Sequence, residues 1–283
     1  MHNMKQSSAR RTFKRNFGQA NHFLVTCLVG LHTLENSDII RAPVDLHAAW
    51  SPKDKASSIS RSKHFVLQSF LGWAVDSLDT YLGLLNRRPS YLQDCEFKAR
   101  IDGLGRSVSK RTTAYASHYC ISNETTALMD VLITWRNNVF HELSDNQLKP
   151  DTLQALRDHA SSISTKYRGL IVARLPEKAQ TGDSLSFKEG ASLINAVHEF
   201  VRETDGAILQ NLDVCSFYTE AIQDAIDDKV KGIAFFAKYK SLGIEKRRRY
   251  VENWLVNTQG LSGVSIEANS PCLHLQRTKE MLG

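Results

Sequence analysis

The sequence predicts an all-α protein, and three observations carry that expectation. Apolar residues recur at helical spacing, most plainly Val66, Phe70, Ala74, Leu78 and Leu82 at intervals of four. Helix start signals precede several such runs: Ser122 or Asn123, Pro150, and Ser186 with Glu189 three positions on. Stop signals follow them, as at Arg87-Arg88-Pro89 and Gly260. A chain of 283 residues, 42% hydrophobic and 23% charged, has the composition of an ordinary soluble protein with material for a real core.

Taken in order, the chain opens on a basic stretch with no acid before Glu35, expected to be a loose arm over residues 1–18. The apolar run "FLVTCLVGL" is too short for a membrane span and has no small-residue cleavage pattern. It continues helically to Leu34 and reads as the first core helix. A long helix over 63–85 follows. Residues 90–122, broken by Gly103 and Gly105, are expected to be mostly loop with one short helix. A capped helix then carries Leu128, Val131, Leu132, Trp135 and Val139 on its buried side and ends after His141.

Pro150 opens another helix, expected to run to about Gly169. The stretch 174–186, with Pro176 and Gly182, is the expected linker. Beyond it lie helices from Ser186, over 214–241 and over 244–257, and the last twenty residues are weakly patterned and compatible with short strands. The expected organisation is the arm, a helical domain over 19–172, and a C-terminal helical region over 186–283 that could pack on it as one unit.

Five widely spaced cysteines, odd in number and without a C-x-x-C pair, argue against a disulfide framework or a zinc site and fit a reducing, cytoplasmic setting. No cofactor or metal is expected. Net charge is only +6, but basic residues cluster in the N-terminal stretch, in "RSVSKRTTAYASHY" (106–119) and in "EKRRRY" (245–250). Arg106, Lys110, Arg111, Arg247 and Arg248 are therefore candidate phosphate contacts for a nucleic acid, with Tyr115 and Tyr119 able to stack on unpaired bases. Solvated surface is the plainer reading of any one such run.

"LITWRNNVFHELSDNQ" (132–147) places Arg136, Asn137 and His141 at the end of an apolar helix face. Cations and amides are common at helix C-termini, so the spacing alone proves little. Asn137 and His141, four apart, share one face, whereas Arg136 is offset from His141 by about 140°. A shared pocket therefore requires a helix end that turns, or a second chain. Imidazole can take a proton from a hydroxyl near neutral pH, and guanidinium presents a planar fork to phosphate oxygens. Such a pair suits attack by an RNA 2′-hydroxyl on the adjacent phosphate, giving a 2′,3′-cyclic phosphate without a metal. One histidine cannot both accept that proton and donate one to the leaving oxygen in a single step, so a two-fold dimer is expected to supply the second.

"WRNNVFHEL" resembles the R-N-x-x-x-H form of the HEPN superfamily, helical ribonucleases of toxin–antitoxin, abortive-infection and RNA-processing systems. The resemblance spans about residues 20–170, and its only specific part is this motif. It implies a HEPN-type helical bundle and a composite site at a homodimer interface, with Arg136, Asn137 and His141 as the motif residues. Many members carry an acid on an earlier long helix; Asp76 and Asp79 both fit, and Asp76 is the preferred orienter of Arg136 or His141. Glu142 departs from the small residue often found there. Leu143 stands where some toxins have a tyrosine that a partner nucleotidyltransferase modifies.

The resulting expectation is a metal-independent endoribonuclease acting on tRNA or other structured RNA, as a toxin or phage-defence effector with an antitoxin or sensor partner. The alternative is a catalytically silent helical scaffold or RNA-binding subunit.

Overall fold

The computed structural model describes residues 4–39, 41–42, 44–141, 146–259, 261 and 263–277. Among them there is no β-strand, and twelve α-helices make up the protein: α1 (Ser8–Glu35), α2 (Lys55–Asn86), α3 (Cys95–Gly103), α4 (Val108–His118), α5 (Asn123–Phe140), α6 (Pro150–Asp158), α7 (Ala160–Lys166), α8 (Leu175–Thr181), α9 (Phe187–Asn211), α10 (Val214–Asp227), α11 (Gly232–Ser241) and α12 (Ile244–Asn257). No described helix is long and apolar enough to cross a membrane.

The chain forms two compact units, interleaved in sequence. One draws on Lys14–Leu78 and Ser122–Phe200, the other on the described residues of Met1–Phe13, Asp79–Ile121 and Val201–Gly283. This differs from the expected succession of arm, domain and C-terminal region, because α1, α2 and α9 each contribute residues to both units.

The first unit holds the Arg136–His141 motif. The expected α2 stripe is buried through Phe70, Ala74 and Leu78, and Phe70 stacks on Phe17 of α1 at 5.2 Å between ring centroids. α5 buries Leu128, Val131, Leu132 and Trp135 completely and packs against α6 and α8. Ser122 is its N-cap residue, although its hydroxyl donates to Thr125 Oγ1 (2.8 Å) instead of capping the backbone. The capping box at α9 forms as expected: Ser186 N–H donates to Glu189 Oε2 (2.7 Å), and Glu189 N–H to Ser186 Oγ (3.2 Å).

Two expectations in this unit are corrected. The helix expected from Pro150 to Gly169 is two helices, α6 and α7, meeting at His159. The expected linker 174–186 contains α8, opened by Pro176 and closed by Gly182 in the left-handed region (φ 73°). α8 packs on α5 because side chains at the end of α5 satisfy its terminal carbonyls. Asn138 Nδ2 donates to Ala179 O (2.9 Å) and Gln180 O (3.2 Å), and Trp135 Nε1 donates to Asp183 O (2.9 Å).

In the second unit the N-terminal stretch is helix from Ser8, with Ser7, Ala9 and Phe13 buried, so it is not a loose arm. Asp205 anchors it, accepting from Ser7 N–H (3.2 Å) and lying 3.6 Å from Arg10. Burial pushes the Asp205 carboxyl above its ordinary range despite those partners. Residues 90–122 hold two capped helices where loop was expected: Asp94 caps α3 and Ser107 caps α4. Asp228 separates α10 from α11, and the described part of the C-terminal segment carries one 3-10 turn at Pro271–Leu273.

Candidate active site

α5 ends at Phe140, and His141 is its C-cap in an extended conformation (φ −125°, ψ 97°). That turn is what the motif required. In a continuing helix His141 would face away from Arg136. Here its Nε2 lies 3.4 Å from Arg136 Nη1, within one chain.

The guanidinium is held on both edges. Nη2 donates to Asp76 Oδ1 of α2 at 2.9 Å, and Nη1 donates to Asn137 Oδ1 at 3.2 Å. Arg136, Asn137, His141 and Asp76 thus form one cluster in one unit. Asp79, the other acid considered, belongs to the second unit, where it pairs with Arg111. Three residues apart on α2, the two carboxylates differ by about 60° in direction, enough to give them different partners.

Two contacts fix the turn at His141. A Cβ on Gly72 would stand 3.0 Å from Phe140 Cζ, so the Phe140 ring rests on bare α2 backbone one turn before Asp76. α2 therefore grips Phe140 through Gly72 and Arg136 through Asp76. The second contact is Asn138, whose Oδ1 accepts from Asn146 N–H (3.0 Å) while its amide caps α8. Sequence reasoning missed both Gly72 and Asn138. The available signals were a glycine inside a strong helical stripe and the motif's second asparagine.

The exposed face of α2 continues outward from Asp76 through Trp73, Ser69 and Phe65, and Trp73, Phe65 and Phe140 are large apolar side chains open to water. Glu142 and Leu143 lie outside the described residues.

The candidate RNA contacts are all in the second unit and divide sharply. Arg106 and Lys110 are exposed. Tyr115 is fully buried, its hydroxyl donating to Leu82 O (3.2 Å), which removes it as a stacking platform. Arg111 is mostly buried against Asp79. Arg247 donates to Tyr239 O (2.8 Å), Leu273 O (2.7 Å) and Leu242 O (3.0 Å) and lies over the Tyr239 ring, so it staples the chain and is not available to phosphate. Arg248 is paired with Glu245 at 3.1 Å. Tyr119 packs edge-on to Phe97 and is mostly buried; burial pushes its phenol up to about 12.

Comparisons with family models, with curated proteins and with solved structures find no match to the chain. The functional reading therefore stands on the geometry and chemistry of the cluster.

Proposed function

We propose that the protein is a metal-independent endoribonuclease of the HEPN type, cleaving structured RNA such as tRNA by 2′-hydroxyl transesterification. One observation carries the reading: Arg136 and His141, offset by their spacing on a helix, are brought within 3.4 Å by the turn at the α5 terminus, with Asp76 and Asn137 holding the guanidinium. His141 Nε2 takes the proton of the attacking 2′-hydroxyl. The new 2′-oxygen–phosphorus bond forms as the phosphorus–5′-oxygen bond breaks, leaving a 2′,3′-cyclic phosphate and a 5′-hydroxyl. Arg136 neutralises the charge that builds on the non-bridging oxygens, a contribution available only in the transition state. A divalent cation in this cluster would meet the guanidinium at close range and, among the described residues, the Asp76 carboxylate, already paired with Arg136.

The leaving 5′-oxygen needs a proton that the same imidazole cannot give in that step. A second copy across a two-fold axis supplies it. The apolar face of Phe65, Trp73 and Phe140 beside Asp76 supports a homodimer that brings two such clusters together. Exposed Arg106 and Lys110 serve as backbone contacts. A role as a toxin or phage-defence effector controlled by an antitoxin or sensor partner is part of the same proposal.

Arg136→Ala and His141→Ala test it. Each is expected to lose RNA cleavage by at least about a hundredfold while melting within about 2 °C of wild type and still binding RNA. Loss of assembly or of RNA binding, with no cleavage by wild type, would instead identify a scaffold.

A further inference from the structure

The unit that carries the motif has a second concave site, with none of the motif residues in its walls. It is a cleft of about 640 Å³ between the end of α7 and the first turns of α9. That volume lies within the range of small-molecule and cofactor pockets. We propose that this cleft binds a nucleotide, with the phosphate on Arg168 and Lys188 and the base on the ring of Phe187.

The charge of the walls comes first. Lys166 and Glu199 both line the cleft, but they close on each other at 3.0 Å. Arg168 and Lys188 are exposed and make no ion pair or side-chain hydrogen bond among the described residues. Two uncommitted cations match the charge of a phosphate monoester, about −1.5 to −2 at neutral pH. Arginine adds a planar fork suited to its oxygens.

The backbone at Arg168 gives a second reason. α7 ends on two successive left-handed residues, Arg168 (φ 52°) and Gly169 (φ 86°). Glycine is the easy residue for such a terminus. The terminus is closed by Gly169 N–H donating to Ser164 O (2.7 Å) and Arg168 N–H donating to Thr165 O (3.2 Å), which fixes the Arg168 backbone at the edge of the cleft.

The third reason is Phe187, the first residue of α9, which lines the cleft and is 57% exposed. An aromatic face next to two cations suits a base joined to a phosphate, and suits inorganic phosphate or a sugar phosphate less well. Asn195 in the wall offers an amide donor and acceptor to the base edge or ribose. The buried Ser192 has already donated its hydroxyl proton to Lys188 O (2.8 Å) and can only accept.

The inference is independent of ribonuclease activity, because a mononucleotide has no internucleotide bond to cleave. Isothermal titration of the full chain would use AMP, GMP, CMP and UMP, with adenosine and inorganic phosphate as part-ligands. A 5′-phosphorylated deoxyoligonucleotide, which lacks the attacking hydroxyl, distinguishes a strand end from a free nucleotide. At least one mononucleotide or the oligonucleotide is expected to bind one site per chain, at least tenfold more tightly than adenosine or phosphate. Arg168→Ala with Lys188→Ala is expected to weaken it at least tenfold, and Phe187→Ala by about 5- to 150-fold, with melting temperatures unchanged within about 2 °C. Three results would overturn the proposal: no binding of any nucleotide at millimolar concentration, phosphate binding as tightly as the nucleotide, or affinity indifferent to these substitutions.

Discussion

Replacing Asp76 with alanine separates positioning from stability at the candidate site. The Asp76–Arg136 contact is short, 2.9 Å, but the Asp76 side chain is 62% exposed and that of Arg136 23%. With charge centres near 4 Å, Coulomb attraction is about 1 kcal/mol in water and about 4 kcal/mol at an effective dielectric near 20. A carboxylate this exposed belongs near the lower figure, and holding two flexible side chains together offsets part of it. The net loss of stability is then about 0.5 kcal/mol, or about 1–2 °C in melting temperature. Catalysis should suffer far more. Freed from Asp76, the guanidinium keeps, among the described residues, Asn137 and the contact with His141, and a misplacement of about 1 Å costs about a hundredfold in rate. RNA affinity should hold or rise, because a negative charge beside the phosphates has gone.

The assay is single-turnover cleavage of a labelled RNA by wild type, Asp76→Ala and Asp76→Glu, with equilibrium binding and melting curves on the same preparations. The expected pattern is a rate down about a hundredfold for alanine, partly restored by glutamate, with binding and melting nearly unchanged. An Asp76→Ala rate within about threefold of wild type would refute the positioning role. A stability loss above about 3 kcal/mol would refute the reasoning from exposure.

Three further substitutions probe the supports of the cluster and of α9. Gly72→Ala puts a Cβ 3.0 Å from Phe140 Cζ, and the half-exposed ring can swing aside. With about 1 kcal/mol of helix propensity gained in return, stability should change by less than about 1 kcal/mol while cleavage falls severalfold; unaltered cleavage would show that Phe140 does not locate His141. Asn138→Ala should cost about 1–3 kcal/mol in urea denaturation by uncapping α8, and should lower cleavage although Arg136 and His141 are intact; a loss under about 0.3 kcal/mol would contradict the capping role. At Glu189, burial raises the carboxyl, but hydrogen bonds from Lys178 and Ser186 outweigh it and leave the folded-state value below the ordinary 4.5. Its stabilisation is therefore complete above pH 4.5 and lost as pH falls through the lower folded value, so Glu189→Gln should flatten the stability profile below pH 4.5 relative to wild type; parallel profiles would contradict this.

How far the sequence spoke depended on how local the determinant was. α2, α5, α9 and α12 were legible because their stripes, caps and stops lie within their own residues. α8 was not: the stretch 174–186 around it is short and mostly polar, and the partners that make it a packed helix, Trp135 and Asn138, lie 41 to 48 residues away. α3 and α4 had legible caps in Asp94 and Ser107, but their weak apolar patterning was read as loop. The N-terminal stretch misled through its charge. Ala9, Phe13 and Phe17 recur at intervals of four, and Arg10 is matched by Asp205 far along the chain.

At the candidate site the motif itself was legible, and so was its need for a turn. The family resemblance called for an acid on α2 but fitted both Asp76 and Asp79, and no local rule separates two aspartates three apart. Their partners, Arg136 and Arg111, are tertiary facts. Tyr115 and Arg247 stood inside basic runs that looked like surface, yet burial and backbone carbonyls claim them. A basic run marks charge in the sequence, not which of its members remains free.

The most direct test of the central claim is to incubate purified wild type and His141→Ala with total cellular RNA in EDTA and map the new ends. The account expects discrete cuts by wild type alone, each leaving a 2′,3′-cyclic phosphate and a 5′-hydroxyl. RNA left intact by both proteins, or cut equally by both, would contradict it.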